Sequence, residues 1–219
     1  NQRIGRLPAR TRTLLHTMAV LGRPTRADTL VTMLGEEPEA EHHALNFLAE
    51  QGFLLGTGSG WRPSHHLHRA VAYASTPAAL RQQLHQRAAE LALAADDLSA
   101  LIAHHLYHAG DLERAMHFVL RAAYDALYGL DDQLAIKRFN RVLRHIPEPP
   151  QEFQGERKTW ARAVLGMSQA LVDGGDAAAA LRFLKQASAR ADRAGWAEQR
   201  DRCDRRLVRL RELSQQPRS

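Results

Sequence analysis

The stretch Leu48–Ser75, LAEQGFLLGTGSGWRPSHHLHRAVAYAS, decides the fold of this 219-residue chain. Its first residues complete a helix that ends at Gly52, and the short apolar run Phe53–Leu55 predicts a buried strand. The run Gly56–Gly60 is typical of a turn, since glycine adopts backbone conformations that other residues avoid. Trp61–Arg62 is predicted to return as a second short strand. A helix followed by a small hairpin and another helix indicates a joint between two helical modules.

Three short helices are predicted before this stretch. A proline at its start favours the first helix, and Thr25 is a suitable N-cap for the second. Acidic residues in its first turn favour the third helix. Their predicted limits are Leu7–Leu21, Arg26–Leu34 and Glu39–Gln51. Three short helices and a glycine-tipped hairpin form the arrangement of a winged helix. The third helix then occupies the recognition position, which lies in the major groove in DNA-binding members.

The helix predicted from about His66 carries apolar residues at i, i+3 and i+4 spacing. We expect its inward face to link the hairpin to the next helix. The residues predicted to form this contact are Leu67, Ala70 and Val71 on this helix, Phe53 and Leu55 on the hairpin, and Leu80 and Leu84 on the next helix. Tyr73 is expected near the junction, with its ring packed and its hydroxyl reaching a polar group.

Long helices follow one another after Ser75. Their predicted limits are Ala78–Ala95, Asp97–Ala109, Leu112–Tyr128, Asp132–His145, Phe153–Val172, Asp176–Ala194 and Trp196–Leu213. Prolines at 147, 149 and 150 interrupt the series, and Pro217 lies in the tail. Small and aromatic residues recur at the spacing of a 34-residue tetratricopeptide repeat, namely Ala123, Ala126, Ala135, Phe139 and Pro147. Two weaker echoes leave the phase of the repeats open.

The sequence therefore predicts a mainly α fold with two domains. Residues 1–75 form a winged helix with a short β-hairpin, and residues 76–219 form a tetratricopeptide-like α-helical solenoid. An unrelated helical bundle is the alternative for the second domain.

Composition limits the class of protein. Hydrophobic residues are 44% and charged residues 25%, which is ordinary for a soluble globular protein. No apolar run approaches the ~20 residues that cross a bilayer, so no membrane partner is expected. The single Cys203 excludes an internal disulfide and fits a reducing cytoplasm. A net charge of +6 favours acidic partners, nucleic acid among them.

The residues around the joint resemble a family signature. Trp61-Arg62 and the run His65-His66-Leu67-His68-Arg69-Ala70-Val71-Ala72-Tyr73 are similar to the aromatic-Arg-x-x-His-x-Leu-hydrophobic-Arg-x-Ala-x-Tyr pattern of bacterial STAND-class regulators. These signal-transduction ATPases include the maltose-regulator-like and the large ATP-binding LuxR-type transcription factors. The resemblance covers roughly residues 5–150. Pro63 and His68 depart from the pattern, in which an aromatic and an aliphatic residue stand.

The resemblance implies an ATPase module, a winged helix and then a sensor solenoid, with ATP or ADP bound by the ATPase in the full-length protein. It also implies that His65 lies near the nucleotide phosphates in the ADP-bound state. In this fragment, a cap of the joint helix is the favoured role for this side chain. The sequence contains no G-x-x-x-x-G-K-[ST], so the nucleotide site is not expected in this chain. Because the first residue is Asn1 and not Met, we expect a piece of a longer protein.

Twelve histidines raise the question of a metal site. His65, His66 and His68 are close in sequence, and His104 and His108 are one helical turn apart, a spacing that zinc accepts. No carboxylate or cysteine stands at ligand spacing nearby and H-E-x-x-H is absent, so the sequence predicts no metal site. No nucleophile elbow or paired-carboxylate motif occurs either, and we expect no enzymatic activity.

The leading hypothesis from the sequence is a regulatory fragment of a transcriptional regulator. Its helical repeats would bind an inducer, either a protein or a small molecule, and the winged helix would relay that state to an upstream ATPase. The alternative is a DNA-binding winged-helix transcription factor with Arg26 and Arg62 as contacts. The third helix has no Arg or Lys, which disfavours the alternative because phosphates and bases require cations or donors.

Overall fold

The computed structural model describes residues 2–146 and 154–215 of the chain. Within these ranges it is mainly helical, with twelve helices and one two-stranded antiparallel hairpin, and this coarse prediction is confirmed. The features predicted at Asn1, Pro147, Pro149, Pro150, Phe153 and Pro217 lie outside the described residues. None of the described helices combines the length and the apolar character that crossing a bilayer requires.

The chain divides into two compact units. Unit 1 contains Asn1–Asp97 and His104–Asp111, and unit 2 contains Leu98–Ala103 and Leu112–Ser219. One helix, Ser99–Ala109, therefore contributes residues to both. The predicted domain boundary after Ser75 stays a prediction.

Unit 1 is built from short helices around one hairpin. Its elements are α1 (Gln2–Gly5), α2 (Ala9–Leu21), α3 (Ala27–Leu34), α4 (Pro38–Glu50), β1 (Leu54–Thr57), β2 (Gly60–Pro63), α5 (His66–Ser75), α6 (Ala78–Ala94) and, from His104 on, the second half of α7 (Ser99–Ala109). Helix α2 packs against α4, α5 and α6, and α4 packs against α3 and β1. The centre of this core is fully buried and includes Leu14, Leu15, Met18, Leu30, Leu45 and Leu48.

The hairpin is longer and its turn tighter than predicted. Gly56 and Thr57 pair with Trp61 and Gly60, so both belong to β1 and not to the turn. The Thr57 hydroxyl donates a hydrogen bond to the Gly60 carbonyl, 2.7 Å away, and so closes the turn. The strand starts at Leu54, since the amide of the buried Phe53 still donates to the carbonyl of Leu48 at the end of α4.

A backbone bridge joins the hairpin to the connection between α2 and α3. Thr25 pairs in antiparallel fashion with Trp61 through two hydrogen bonds of 2.8 Å each. The prediction of Thr25 as the N-cap of the second helix is therefore wrong. Arg26 occupies that position, and the Thr25 hydroxyl donates instead to the carbonyl of Arg23 at 3.1 Å.

The inward face of α5 differs from the predicted one. Leu67 is 57% exposed and Ala70 is also exposed, whereas Ala72 is fully buried. The Arg69 Nε donates a hydrogen bond to the carbonyl of Ala19 on α2, 3.1 Å away. Ala72 on α5 and Thr76 just after it are buried against the core. A small residue on this face allows α5 to pack closely on α2.

The remaining inward predictions near the joint have mixed outcomes. Phe53 and Leu84 are buried, and Val71, Tyr73 and Leu80 pack against the same core, as expected. Leu55 is 45% exposed because it alternates with the buried Leu54 along β1.

Unit 2 is a series of long helices. They are α8 (Leu112–Tyr128), α9 (Asp132–His145), α10 (Gln154–Asp173), α11 (Ala177–Arg193) and α12 (Ala197–Gln215). Each helix packs against the next, and in addition α8 packs against α10 and α10 against α12. The carboxylates of Asp131 and Asp176 accept hydrogen bonds from backbone amides at the starts of α9 and α11, 3.0 and 2.8 Å away.

The packing of α9 on its neighbours uses small residues around one aromatic ring. Ala123, Ala135 and Phe139 are fully buried, and the Phe139 ring occupies the space where Gly166 of α10 would carry a side chain. These are residues that the repeat pattern singled out, except for Gly166, which the sequence did not indicate.

Candidate functional sites

The structure places His65 at the N-cap position of α5. Its Nδ1 accepts a hydrogen bond from the backbone amide of Leu67, 3.2 Å away, so the capping role that is favoured for this fragment is confirmed. His66 and His68 lie beside it, with ring centroids 4.2 and 6.2 Å from that of His65. A role of His65 near a nucleotide stays a prediction.

The two arginines proposed for DNA binding lie at the hairpin. Arg26 and Arg62 are the chain neighbours of the bridging residues Thr25 and Trp61, and both are exposed. Arg26 forms a wide, solvent-exposed ion pair with Asp28 at 3.7 Å. An exposed pair of this kind contributes little to stability.

The exposed face of α4 carries acidic side chains and no Arg or Lys. Glu39 and Glu50 are exposed on this helix, and Glu36 and Glu37 are exposed just before it. Arg10 of α2 neutralises one of them through a 3.0 Å ion pair with Glu36. Helix α4 therefore presents negative charge to solvent.

Unit 2 contains a cavity of about 470 Å³ with a basic lining. Four cations line it, Arg157, Lys158, Arg162 and Arg202, together with one carboxylate, Glu198. The Arg157 guanidinium lies over the ring of Trp196, 5.2 Å from the centroid, and Arg202 pairs with Glu198 at 2.7 Å. One carboxylate against four cations leaves the cavity suited to an anionic ligand.

Four histidines meet in unit 1 between α6 and α7. His85 comes from α6, and His104, His105 and His108 come from α7. The Nδ1 atoms of His85 and His105 are 3.0 Å apart, and the ring of His108 stacks on that of His85 with centroids 4.9 Å apart. One ring nitrogen from each of His85, His104 and His105 lies within 4.8 Å of the others.

Neighbouring side chains orient the cluster. The Tyr73 hydroxyl of α5 is hydrogen-bonded to Nε2 of His85 at 3.1 Å. The Gln82 side-chain amide donates to the carbonyl of Ala109 at 2.9 Å, which ties α6 to the end of α7. His85 and His105 are buried, whereas His104 is exposed, so the cluster opens to solvent on the His104 side.

Burial keeps the two inner rings neutral. Burial, together with the smaller effects of the neighbouring histidines and Arg81, lowers the pKa of His85 to about 3. Burial also lowers the pKa of His105 to about 4, with His104 and Arg23 acting in the same direction and Asp97 against them. A neutral imidazole has one nitrogen that donates and one that accepts, and the accepting nitrogen is a metal ligand.

This cluster could not be predicted from the spacing of histidines along the sequence, although that spacing was informative for two of them. The spacing indicated His104 and His108, whose ring centroids are 4.6 Å apart, but not His85, which lies 19 residues earlier on another helix. The available hint was that α6 and α7 are consecutive helices joined by a short connection, and such helices often pack side by side. Comparisons of the chain with family models, with curated proteins and with solved structures find no match.

Proposed function

We propose that this chain is the regulatory part of a STAND-class signal-transduction ATPase that controls transcription. A tetratricopeptide-like solenoid in unit 2 binds an inducer, and a winged helix in unit 1 relays the bound state to an ATPase module that binds ATP or ADP. The chain itself performs no catalysis.

The order and pairing of elements in unit 1 support the winged helix. This fold alternates helix, strand, two helices and a hairpin. Here α2 is followed by the bridge residue Thr25, then by α3 and α4, and then by β1 and β2, with Trp61 of β2 pairing to Thr25. Gly58 and Ser59 at the hairpin tip then form the wing.

The packing of unit 2 supports the solenoid. In a stack of helical hairpins each helix contacts its chain neighbour, and equivalent helices of successive hairpins contact each other. The contacts of α8 with α10 and of α10 with α12 follow this rule. Phe139 fills the space between α9 and α10 against Gly166, as the aromatic residue of a tetratricopeptide repeat does.

The distribution of charged side chains is the observation that carries the proposal. Helix α4, in the position that contacts bases in DNA-binding winged helices, presents glutamates, while the cavity of unit 2 is lined by four cations. A face that repels phosphate does not read DNA. Ligand recognition is therefore assigned to unit 2, and its inducer is a small anion that fits a cavity of about 470 Å³.

Calorimetric titration with inorganic tripolyphosphate as a probe anion tests the inducer site. In the double variant Lys158→Gln/Arg162→Gln, two cations of the lining lose their charge. We expect its affinity for the probe to be at least about tenfold lower, since a hydrogen bond to a charged group contributes ~1.5–3 kcal/mol. The proposal is supported if the wild-type chain binds the probe and the double variant binds it at least about tenfold more weakly.

The matched control is Arg182→Gln/Lys185→Gln, which removes the same charge from exposed positions of α11 in the same unit. This variant is expected to bind the probe as the wild type does. Equal losses in both double variants would mean that net charge alone attracts the anion. That outcome, or the absence of binding by the wild-type chain, contradicts the inducer site.

A further inference from the structure

We propose that His85, His104 and His105 of unit 1 bind a zinc ion, with Tyr73 positioning the His85 ring. This site is separate from the inducer cavity and from the winged-helix hairpin, and it goes beyond the function proposed above. It also revises the expectation from the sequence that the chain holds no metal site.

The spacing of the donor atoms fits one ion. Two nitrogens bound to a tetrahedral zinc ion at 2.0–2.1 Å lie ~3.3 Å apart. The Nδ1 atoms of His85 and His105 are already 3.0 Å apart, and a nitrogen of His104 lies within 4.8 Å of both residues' ligand atoms. A rotation of the exposed His104 side chain brings its nitrogen to the ion, and the two buried rings tilt so that their Nδ1 atoms face it. Three histidines and one water molecule form an open zinc site.

The hydrogen bond between His85 and His105 in the metal-free chain lies where the ion would bind. A hydrogen bond between two Nδ1 atoms requires a proton on one of them and a lone pair on the other. When the ion binds, it takes the place of this proton, which moves to Nε2 of the same ring. After the two rings tilt, both Nδ1 lone pairs point at the metal, and no charged imidazolium is formed.

Tyr73 supplies the outer contact that zinc-bound histidines usually have. A ligating histidine donates its other ring N–H to a neighbouring acceptor, which fixes its tautomer and orientation. The Tyr73 hydroxyl, 3.1 Å from Nε2 of His85, is placed to accept that proton. The Tyr73 side chain itself packs against the core of unit 1, so its hydroxyl is held in place.

Zinc titration of the whole chain, without a histidine tag, tests the site. We expect one tight zinc per chain by competition with a chromophoric chelator, and visible absorption typical of four-coordinate Co²⁺ when cobalt replaces zinc. His104→Ala is the principal variant, because the side chain is exposed and its loss leaves the core intact. We expect it to lower the zinc affinity at least tenfold. Tyr73→Phe is expected to lower the affinity about 10–100-fold and to alter the Co²⁺ spectrum.

His117→Ala is the matched control, since His117 is an exposed histidine of α8 outside the cluster. It is expected to keep the affinity and the Co²⁺ spectrum of the wild type. Circular dichroism of each metal-free variant checks that it is folded. The absence of stoichiometric zinc binding, or equal losses in His104→Ala and His117→Ala, overturns the site. An unchanged Co²⁺ spectrum in Tyr73→Phe overturns the positioning role.

Discussion

Thr25 and Trp61 exchange two backbone hydrogen bonds of 2.8 Å each, across 36 residues of chain. This isolated bridge holds the two-stranded hairpin against the connection between α2 and α3. An isolated two-stranded hairpin is marginally stable in water, and a further paired segment together with packing on helices stabilises it. The bridge therefore fixes where the hairpin lies in unit 1.

Gly60→Ala should weaken this bridge. Gly60 has a φ of +123°, and a Cβ there would lie 2.5 Å from the carbonyl carbon and oxygen of Thr25. Both the backbone conformation and the collision oppose a side chain, and we expect unfolding to become easier by ~1–3 kcal/mol. Urea denaturation measures the change. Gly58→Ala is the control, since a Cβ at Gly58 meets nothing within 4 Å. Equal effects of the two substitutions would contradict the importance of the bridge.

Gly166→Ala should destabilise unit 2. The Phe139 ring lies inside van der Waals contact of the position that a Cβ at Gly166 would take. The ring is fully buried, so it has little room to move, and overpacking of this kind costs ~1–3 kcal/mol. Thermal unfolding followed by circular dichroism measures the loss.

Gly155→Ala in the same helix separates packing from helix propensity. A Cβ at Gly155 meets nothing within 4 Å, and alanine is favoured over glycine in a helix by ~1 kcal/mol. We expect this variant to be as stable as the wild type or more so. If Gly166→Ala also raised the stability, Phe139 would not be locked between α9 and α10.

Glu41→Gln should stabilise unit 1 at neutral pH. Glu41 is fully buried in the first turn of α4, and neither carboxylate oxygen has a hydrogen-bond partner among the described residues. Burial raises the pKa of Glu41 and Glu36 adds to this, while Arg10 and His42 oppose it. Burying a neutral polar group without partners costs ~1–3 kcal/mol, and burying a charged one costs more. The glutamine amide avoids this excess because it is never ionised.

The stability gained by Glu41→Gln is expected to depend on pH. A raised pKa in the folded state means that the contribution of the protonated Glu41 is fully present below the unfolded value of 4.5 and is lost as the pH rises through the folded pKa. The advantage of Glu41→Gln should therefore be small at pH 4, grow as the pH rises and then level off. Glu39→Gln, exposed in the same helical turn, is the control for the helix dipole. An advantage for Glu41→Gln that is the same at pH 4 and pH 7 would contradict the argument.

The helix limits were the part of the fold that sequence predicted best. Leu112–Tyr128 and Asp132–His145 agree with the structure residue for residue, because aspartate and glycine mark those ends. The face of α5 was not predictable in the same way. Leu67 is more apolar than Ala72, yet Ala72 is the buried residue, on a helix that the hydrogen bond from Arg69 to Ala19 joins to α2. Such a contact between distant residues leaves no periodic pattern.

The candidate sites show the same limit. The negative charge of α4 could be predicted from the sequence alone. The helix contains glutamates and no Arg or Lys, so no face of it can carry a basic Arg or Lys side chain. The basic cavity draws Arg157, Lys158 and Arg162 from α10 and Arg202 from α12, so its charge appears only when these helices pack. The histidine cluster likewise depends on which faces of α6 and α7 meet, and spacing along one helix does not determine that.

Selection from a pool of random DNA duplexes tests most directly the central claim that this chain senses a ligand and does not read DNA. At about 0.15 M salt we predict no enriched consensus, and binding no tighter than the ~10⁻⁶ M of nonspecific attraction to a basic protein. The contradicting result is an enriched sequence bound at ~10⁻⁸ M or tighter, with the binding lost in Arg26→Ala/Arg62→Ala. The acidic face of α4 would then have to lie away from the DNA, and the chain would be a DNA-binding winged-helix protein.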